Sequence, residues 1–317
     1  MIYTKINELK QNIARVVIGK EDVTELILVG LLADGHILIE DVPGVGKTLL
    51  AKTLATLLNC RFKRIQFTPD LTPTDVTGFF IYDRRTNDFI FRPGPVLTNI
   101  LLADEINRTV PRTQASLLEA MEERQITVDG ETFVLPKPFL VLATQNPIEQ
   151  EGTFLLPEAQ LDRFLLKVNM GYPSKDEEQK ILLTHGQENP LINLQPILSI
   201  EEILSYRKKC CEVSIHPSIQ EYIVNLVRGT RSHERVALGA SPRASLALYK
   251  ACQALAFLRG RDYVIPDDVK YLAIPILTHR IIVKREDHLR GFTAIKIITE
   301  VLESIPTPVE EGENHSE

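Results

Sequence analysis

Residues Asp41-Val42-Pro43-Gly44-Val45-Gly46-Lys47-Thr48 restrict this chain more than any other stretch. They follow a short apolar run, His36–Glu40 (HILIE), and lead into Lys47–Leu58, where Leu50, Leu54, Leu57 and Leu58 recur at helical spacing. A strand that turns through glycines into a helix is the setting in which a loop can cradle phosphate. Gly44 and Gly46 let backbone N–H groups approach an anion without a Cβ in the way. The helix N-terminus adds partial positive charge. Lys47 can reach the outer phosphates, and Thr48 can offer its hydroxyl to Mg²⁺. Pro43, Val45 and Leu49 complete the loop and the first helical turn. Asp41 departs from the general pattern, standing where a first glycine is expected. The bland alternative is a glycine-rich turn with an incidental lysine.

The same alternation of strand and helix runs through the first half. Ile100–Ala103 (ILLA), Phe139–Thr144 (FLVLAT), Phe164–Val168 (FLLKV) and the weaker Arg64–Phe67 are further buried-strand candidates. Continuous apolar strands between helices predict an α/β fold with a parallel sheet covered on both faces. Two hairpins interrupt it. Phe79–Tyr82 and Phe89–Phe91 flank the polar DRRTND, and Gln125–Val128 and Glu131–Val134 flank Asp129-Gly130, a type I′ turn signal. Past Tyr172-Pro173-Ser174 the pattern turns helical. Ser241-Pro242 reads as an N-cap with proline at the first helical position. The helix after it has Ala244, Ala247, Leu248, Ala251, Leu255 and Leu258 on one face and stops at Gly260. Pro266-Asp267-Asp268 opens another helix with acids at its positive end. The expected division is a core over 1–172, a helical domain over 173–305 and a disordered acidic tail over 306–317.

Composition removes other classes. At 317 residues the chain has room for roughly two domains at about 150 residues each. Thirty-six basic against 42 acidic residues leave a net charge of −6, which disfavours bulk phosphate-backbone binding. Cys60, Cys210, Cys211 and Cys252 lack zinc-ligand spacing and read as reduced thiols. The opening MIYTKINELKQNIARVV has no apolar signal core, and no run of about 18 apolar residues occurs. The expected location is the cytoplasm.

A second chemical signal is Ile100-Leu101-Leu102-Ala103-Asp104-Glu105. An apolar strand ending in two carboxylates resembles a Walker B motif. Asp104 would hold Mg²⁺ and Glu105 would act as general base on water. Alone, adjacent carboxylates are more often a solvated turn. With the phosphate loop they point to nucleotide hydrolysis. A guanine-reading Asn/Thr-Lys-x-Asp motif is absent.

Taken together, EDVPGVGKT (40–48), RIQFTPDLTPTDVTG (64–78), FRPGPVLTNILLADEINRTVPRTQASLLEAMEERQITVDG (91–130), LATQNP (142–147), LPEAQLDRF (156–164) and GASPRA (239–244) resemble the MoxR family of AAA+ ATPases over nearly the whole chain. The resemblance implies a five-stranded αβα core with hairpin inserts, followed by a small all-α lid. It places the LVLAT strand between the phosphate-loop and ILLADE strands. Asn146 then takes the sensor 1 position, orienting water and touching the γ-phosphate; otherwise it belongs to an Asn-Pro turn. Arg163 resembles an arginine finger donated to a neighbouring subunit; otherwise it pairs locally with Asp162 or Glu158. Arg243 resembles sensor 2, a cation near a helix N-terminus that asks for an anion; otherwise it is an exposed arginine. Val17-Ile18-Gly19 matches the segment lining the adenine pocket, as any buried joint also could, making Ile18 and Gly19 candidate base contacts. The hairpins, with Phe79 and Phe80, either contact clients in a pore or pack on the core.

The implied function is an ATP-driven, Mg²⁺-dependent remodelling ATPase, a homo-oligomer in a hexameric ring, with ATP held between core and lid. Its implied partners are proteins, among them von Willebrand A-domain proteins, in maturation of complexes or metal insertion. A nucleic-acid-stimulated motor of the helicase type is the competing reading. A nucleotide-dependent scaffold without turnover is the third.

Overall fold

The computed structural model describes residues 2–146, 153–186 and 190–308. Residues 309–317 of the expected tail and Pro147 of LATQNP lie outside the described residues. Two compact units appear, Met1–Lys208 and Lys209–Glu317.

The first unit opens with α1 (Ile2–Val16) and α2 (Glu21–Leu32). In α1, Ile6, Leu9, Ile13 and Val16 recur every three or four residues and are buried. Then follow β1 (Ile37–Glu40), α3 (Lys47–Leu57), β2 (Phe62–Gln66), α4 (Pro73–Thr77), β3 (Gly78–Asp83), β4 (Asp88–Pro93), β5 (Ile100–Asp104), α5 (Pro111–Glu123), β6 (Gln125–Val128), β7 (Glu131–Val134), β8 (Leu140–Gln145), α6 (Glu158–Leu161) and β9 (Leu166–Val168). The unit closes with α7 (Lys175–His185) and most of α8 (Ile200–Glu212).

Five strands form one sheet in the order β2-β5-β8-β1-β9, with every pairing parallel. β8 lies between β1 and β5, as the resemblance implies. Ile100–Ala103 and Leu140–Thr144 are buried on both faces. Each such aliphatic side chain contributes about 1.5–3 kcal/mol by leaving water. Leu117, Leu118 and Met121 of α5 join Leu101, Val141 and Phe139 in the core beneath the sheet.

Both hairpins form. β3 pairs with β4, and β6 with β7, antiparallel. Asp129 and Gly130 have φ of 49° and 87°, the positive pair a type I′ turn requires. Phe91 stacks on Phe133 of the other hairpin at 4.0 Å between ring centroids, and Phe80 packs beside both. Phe79, Tyr82 and Phe89 remain exposed.

The unit boundary falls later than the composition change at Tyr172-Pro173. The intervening chain is tied to the first unit by specific bonds. The N–H groups of Ile197 and Leu198 donate to Leu57 O, Lys5 pairs with Glu202, and Arg207 donates to Leu31 O and Asp34. A helical segment is not automatically part of a helical domain.

The second unit continues with α9 (Pro217–Ser232), β10 (Val236–Leu238), α10 (Pro242–Leu258), α11 (Pro266–Leu277), β11 (Ile282–Val283), α12 (Arg285–Leu289) and α13 (Ala294–Ser304). Its described residues are mainly helical, with the short antiparallel pair of β10 with β11 and a single parallel bridge between Ser214 and Tyr263. Ser241 caps α10 by accepting from the Arg243 N–H, with Pro242 at the first position. At α11, Asp268 does more than oppose the dipole. It is buried, accepts from the Ile265 N–H and forms a two-point ion pair with Arg261. All four cysteines are free, and burial pushes the Cys60 thiol up to about 11. No described helix is long and apolar enough to cross a membrane.

His36 fastens the sheet to α5. Its Nδ1 accepts from the Val141 N–H at 3.0 Å, and its Nε2 lies 3.1 Å from Met121 O, so the neutral ring donates there. Burial, with Arg124 and Arg207 nearby, pulls its pKa well below 6.5. The unfolded chain therefore binds a proton that the folded chain refuses. This contribution to stability is present above the unfolded pKa and is lost as pH falls below it. Between pH 7.5 and 5.5 the loss through this one group is on the order of 1 kcal/mol. Urea titrations at the two pH values should show it in the wild type and not in His36→Gln.

Candidate nucleotide site

The site forms at the carboxyl ends of the parallel strands, where β1 turns into α3. Gly44 and Gly46 have φ of 87° and 94°. A Cβ at either would meet no atom within 4 Å, so both face open space, and side chains there would strain the backbone and fill the cradle. That cradle is a cavity of about 400 Å³. Pro43, Gly44, Gly46, Lys47, Thr48 and Leu49 line it on the loop side; Asp104, Glu105 and Asn146 line it on the strand side. The phosphate-loop and Walker B candidates are thus brought together.

Lys47 Nζ donates to Asp41 O at 2.9 Å. Burial lowers its pKa, and the charges of Asp104, Asp41 and Glu105 oppose that shift. An anion in the cavity acts in the same direction as those carboxylates, favouring the ammonium form.

The two carboxylates are held in place from three sides. Thr144 Oγ1 donates to Asp104 Oδ1 at 2.6 Å and accepts from the Glu105 N–H at 2.8 Å. Arg64 donates to Asp104 Oδ2 through Nη2 at 2.7 Å and Nε at 3.1 Å. Gln66 Nε2 donates to Glu105 Oε2 at 2.6 Å, and Arg108 Nη1 reaches the same oxygen at 2.9 Å. Glu105 itself is left-handed, φ 56° and ψ 49°, an unfavourable conformation for a residue with a Cβ. It swings the carboxylate out of the strand direction and over the cavity.

A second cavity of about 210 Å³ adjoins the first and shares Gly44, Gly46 and Leu49 with it. Val16, Val17, Ile18, Val45, Pro173 and Ile181 make it mostly apolar, and Lys20 also lines it. Ile18, a candidate base contact, lines this cavity. Gly19, φ 72°, is packed against the Glu177 side chain beside this cavity and does not line it. A polar cavity with a lysine and two carboxylates, joined through glycines to an apolar one, matches the two ends of a nucleotide. Thr48 and Asp104 supply the hard oxygen donors Mg²⁺ takes.

Two candidates are not among the residues that line the polar cavity within the first unit. Arg163 forms an ion pair with Glu122 at the end of α5, 3.1 Å from Nε to Oε2, and does not line the cavity. Arg243 sits in the first turn of α10, in the second unit, with an exposed side chain. The sequence reading missed Arg64, Gln66, Thr144, Pro173 and Ile181. Only Arg64 and Gln66 left a local trace, two polar residues at strand spacing in RIQF, the face turned from the core.

Comparisons with known proteins agree with this geometry. Residues 36–166 match the family model of the ATPase family associated with various cellular activities (AAA), and residues 228–301 match the AAA lid domain. The chain is 50% identical to the uncharacterized protein YeaC of Bacillus subtilis over 98% of its own length and 97% of YeaC. It is 44% identical to Chaperone MoxR1 of Mycobacterium tuberculosis, covering 93% of this chain and 80% of that one. Protein MoxR of Methylorubrum extorquens is 28% identical over 94% of both chains. A crystal structure of a proposed ATPase from Cytophaga hutchinsonii superposes with a TM-score of 0.91 at 40% identity, covering 97% and 96% of the two chains. The phosphate loop, the paired carboxylates, the five-strand order and these likenesses converge: the chain belongs to the MoxR family of AAA+ ATPases.

Proposed function

We propose that this chain binds and hydrolyses ATP with Mg²⁺, and uses the turnover to remodel protein partners. One observation carries the reading: Lys47, Asp104 and Glu105 converge on one glycine-lined cavity that opens into an apolar pocket. The backbone N–H groups of Pro43-flanking loop residues Gly44 to Thr48, with Lys47, hold the phosphates. Val17, Ile18, Leu49, Pro173 and Ile181 hold the base by apolar contact. Thr48 and Asp104 would hold Mg²⁺, which would supply positive charge to offset that of the phosphates. Asp104 accepts from Arg64 and Thr144, so Mg²⁺ held there would compete with Arg64 for Asp104 Oδ2. Glu105 takes the proton of the attacking water, and the Asn146 amide orients that water. The general-base assignment for Glu105 requires that Gln66 and Arg108 leave its second oxygen lone pairs available.

Arg163 is read as a group supplied to the site of a neighbouring copy, which its distance from its own cavity lining supports. Its pairing with Glu122 stores the guanidinium until a γ-phosphate competes for it. Arg243 is assigned to phosphate sensing by the resemblance. A ring, hexameric in the family resemblance, follows from a site completed in trans. The cytoplasm is the proposed location. The likeness to a protein named as a chaperone supports a protein client, as do the exposed aromatics Phe79, Tyr82 and Phe89 of the first hairpin. Von Willebrand A-domain proteins are the proposed client class, through assembly or maturation of complexes.

Phosphate release and nucleotide binding test the chemistry. Lys47→Ala should abolish ATP binding, whereas Glu105→Gln should bind ATP and lose turnover by about 10²–10⁴-fold. Unchanged affinity in the first, or wild-type turnover in the second, sinks the assignment. For the shared site, Arg163→Ala alone should lose about 10³-fold or more in turnover. Mixing it with Glu105→Gln under co-assembling conditions should recover activity, because some sites then combine an intact Glu105 with an intact Arg163. Failure of the mixture to exceed either parent argues against the in-trans role.

A further inference from the structure

Asp41 is the residue that departs from the general phosphate-loop pattern, and its position is physically odd. A buried carboxylate lines the cavity assigned to phosphate, where its charge repels the ligand. Each of its carboxylate oxygens accepts a hydrogen bond. Oδ1 accepts from the Val42 N–H at 2.8 Å, inside the phosphate loop. Oδ2 accepts from the Gly171 N–H at 2.6 Å, in the segment that leaves β9; that N–H is shared with Asn169 Oδ1 at 2.9 Å, a contact within the same segment, so the Asp41 bond is the one that crosses to the loop. Its main chain is fixed as well, with N–H to Gln145 O at 3.0 Å and O accepting from Lys47.

Gly171 has φ of 62°, and two residues later Pro173 lines the apolar cavity together with Ile181 of α7. The opposite wall of that cavity is the loop itself, Gly44, Val45 and Gly46. The Asp41 carboxylate therefore joins the two walls. A glycine in its place could hold neither N–H group.

We propose that Asp41 is a positioning residue that sets the spacing between the phosphate cavity and the base pocket, by tying the phosphate loop to the 169–173 segment. The proposal rests on the nucleotide reading of the site. It assigns the carboxylate a role in how much the base adds to affinity, at the expense of phosphate binding. Two consequences then run in opposite directions. Removing the carboxylate relieves repulsion on phosphate, and it frees Pro173 and Ile181 from their register with the loop.

The test compares two probes, ATP and inorganic tripolyphosphate, each with Mg²⁺, bound to the full chain and measured by calorimetry. The readout is the ratio of the tripolyphosphate Kd to the ATP Kd, which isolates the contribution of the nucleoside. In Asp41→Ala, tripolyphosphate should bind as well as to wild type or better, while the ratio falls about tenfold. In Asp41→Asn, which keeps one carbonyl acceptor without the charge, tripolyphosphate should again tighten and the ratio should fall about threefold. A ratio within about twofold of wild type in Asp41→Ala overturns the proposal, as does a parallel loss of both ligands, which marks loop collapse alone. Circular dichroism checks folding. If Asp41→Ala does not fold, Asp41→Asn decides, and a ratio within about twofold of wild type overturns the proposal. If the wild type binds tripolyphosphate but gains nothing from the nucleoside, the base-pocket reading fails, and this proposal with it. A normal wild-type ratio that no Asp41 variant moves defeats the positioning role alone.

Discussion

The ladder that pairs β5 with β8 and β8 with β1 is what the rest of the site depends on. These strands are buried on both faces, so their register is fixed by packing, and every polar group at their carboxyl ends inherits that register. Ala103 opposite Ala143 sets Thr144 beside Asp104 and Glu105. Glu40 opposite Gln145 sets the Asp41 N–H on Gln145 O, which is the last bond of the ladder and the first of the loop. A slip of one residue would turn Thr144 away from both carboxylates and lift the loop from the sheet. The catalytic geometry is thus a by-product of where apolar strands end.

The charges at that edge balance each other before any phosphate arrives. Lys47 and Arg64 face Asp41 and Asp104, and Arg108 faces Glu105. Such a site resists collapse, because no buried charge lacks a counter-charge. On the proposed nucleotide reading, binding would be an exchange of partners: phosphate would compete with the Asp41 carbonyl for Lys47, and Mg²⁺ would compete with Arg64 for Asp104. The Arg163–Glu122 pair follows the same logic at a distance, holding a cation in a defined place on a surface. The left-handed Glu105 belongs here too. It is held by Thr144 through its N–H and by Gln66 and Arg108 through its carboxylate, so its strain is stabilised from both ends.

How much of this was legible in sequence follows from which signals are local. β1, β5 and β8 were visible because each is a nearly uninterrupted apolar run, β2 and β9 less so because Lys63, Arg64 and Lys167 interrupt them, and Asp129-Gly130 announced its turn because both residues need positive φ. Gly44, Gly46, Lys47 and Thr48 were visible because strand, loop and helix are contiguous. Pro173 and Ile181 were not, since they reach the pocket from beyond β9, more than a hundred residues from Gly44 in the chain. Nothing in the sequence says which segment returns to a given loop. Glu122 was missed as the partner of Arg163 for the same reason. Arg64 and Gln66 were read as part of a weak strand. β2 is the edge strand, and its polar face has meaning only once Asp104 is known to lie in the neighbouring position, opposite Gln66. The segment after Tyr172 misled in the other direction. Its helical periodicity is real, but the bonds to Leu57, Asp34 and Lys5 that assign it to the first unit are all long-range.

Asp41 shows where reading by motif and reading by physics part. Against a general pattern it is a defect, a residue with a Cβ and a negative charge where glycine and neutrality suit phosphate. Against the structure it is a bracket, with both oxygens bound to N–H groups from segments that are 130 residues apart. Glycine there would favour the anion and leave the loop and the 169–173 segment to find their own spacing. The chain has the opposite balance, weaker phosphate attraction for a fixed distance between phosphate and base. A loop that only had to hold phosphate has no use for that exchange. One that must seat an entire nucleotide does, because the same bracket holds the loop against the segment that carries Pro173 and leads towards α7.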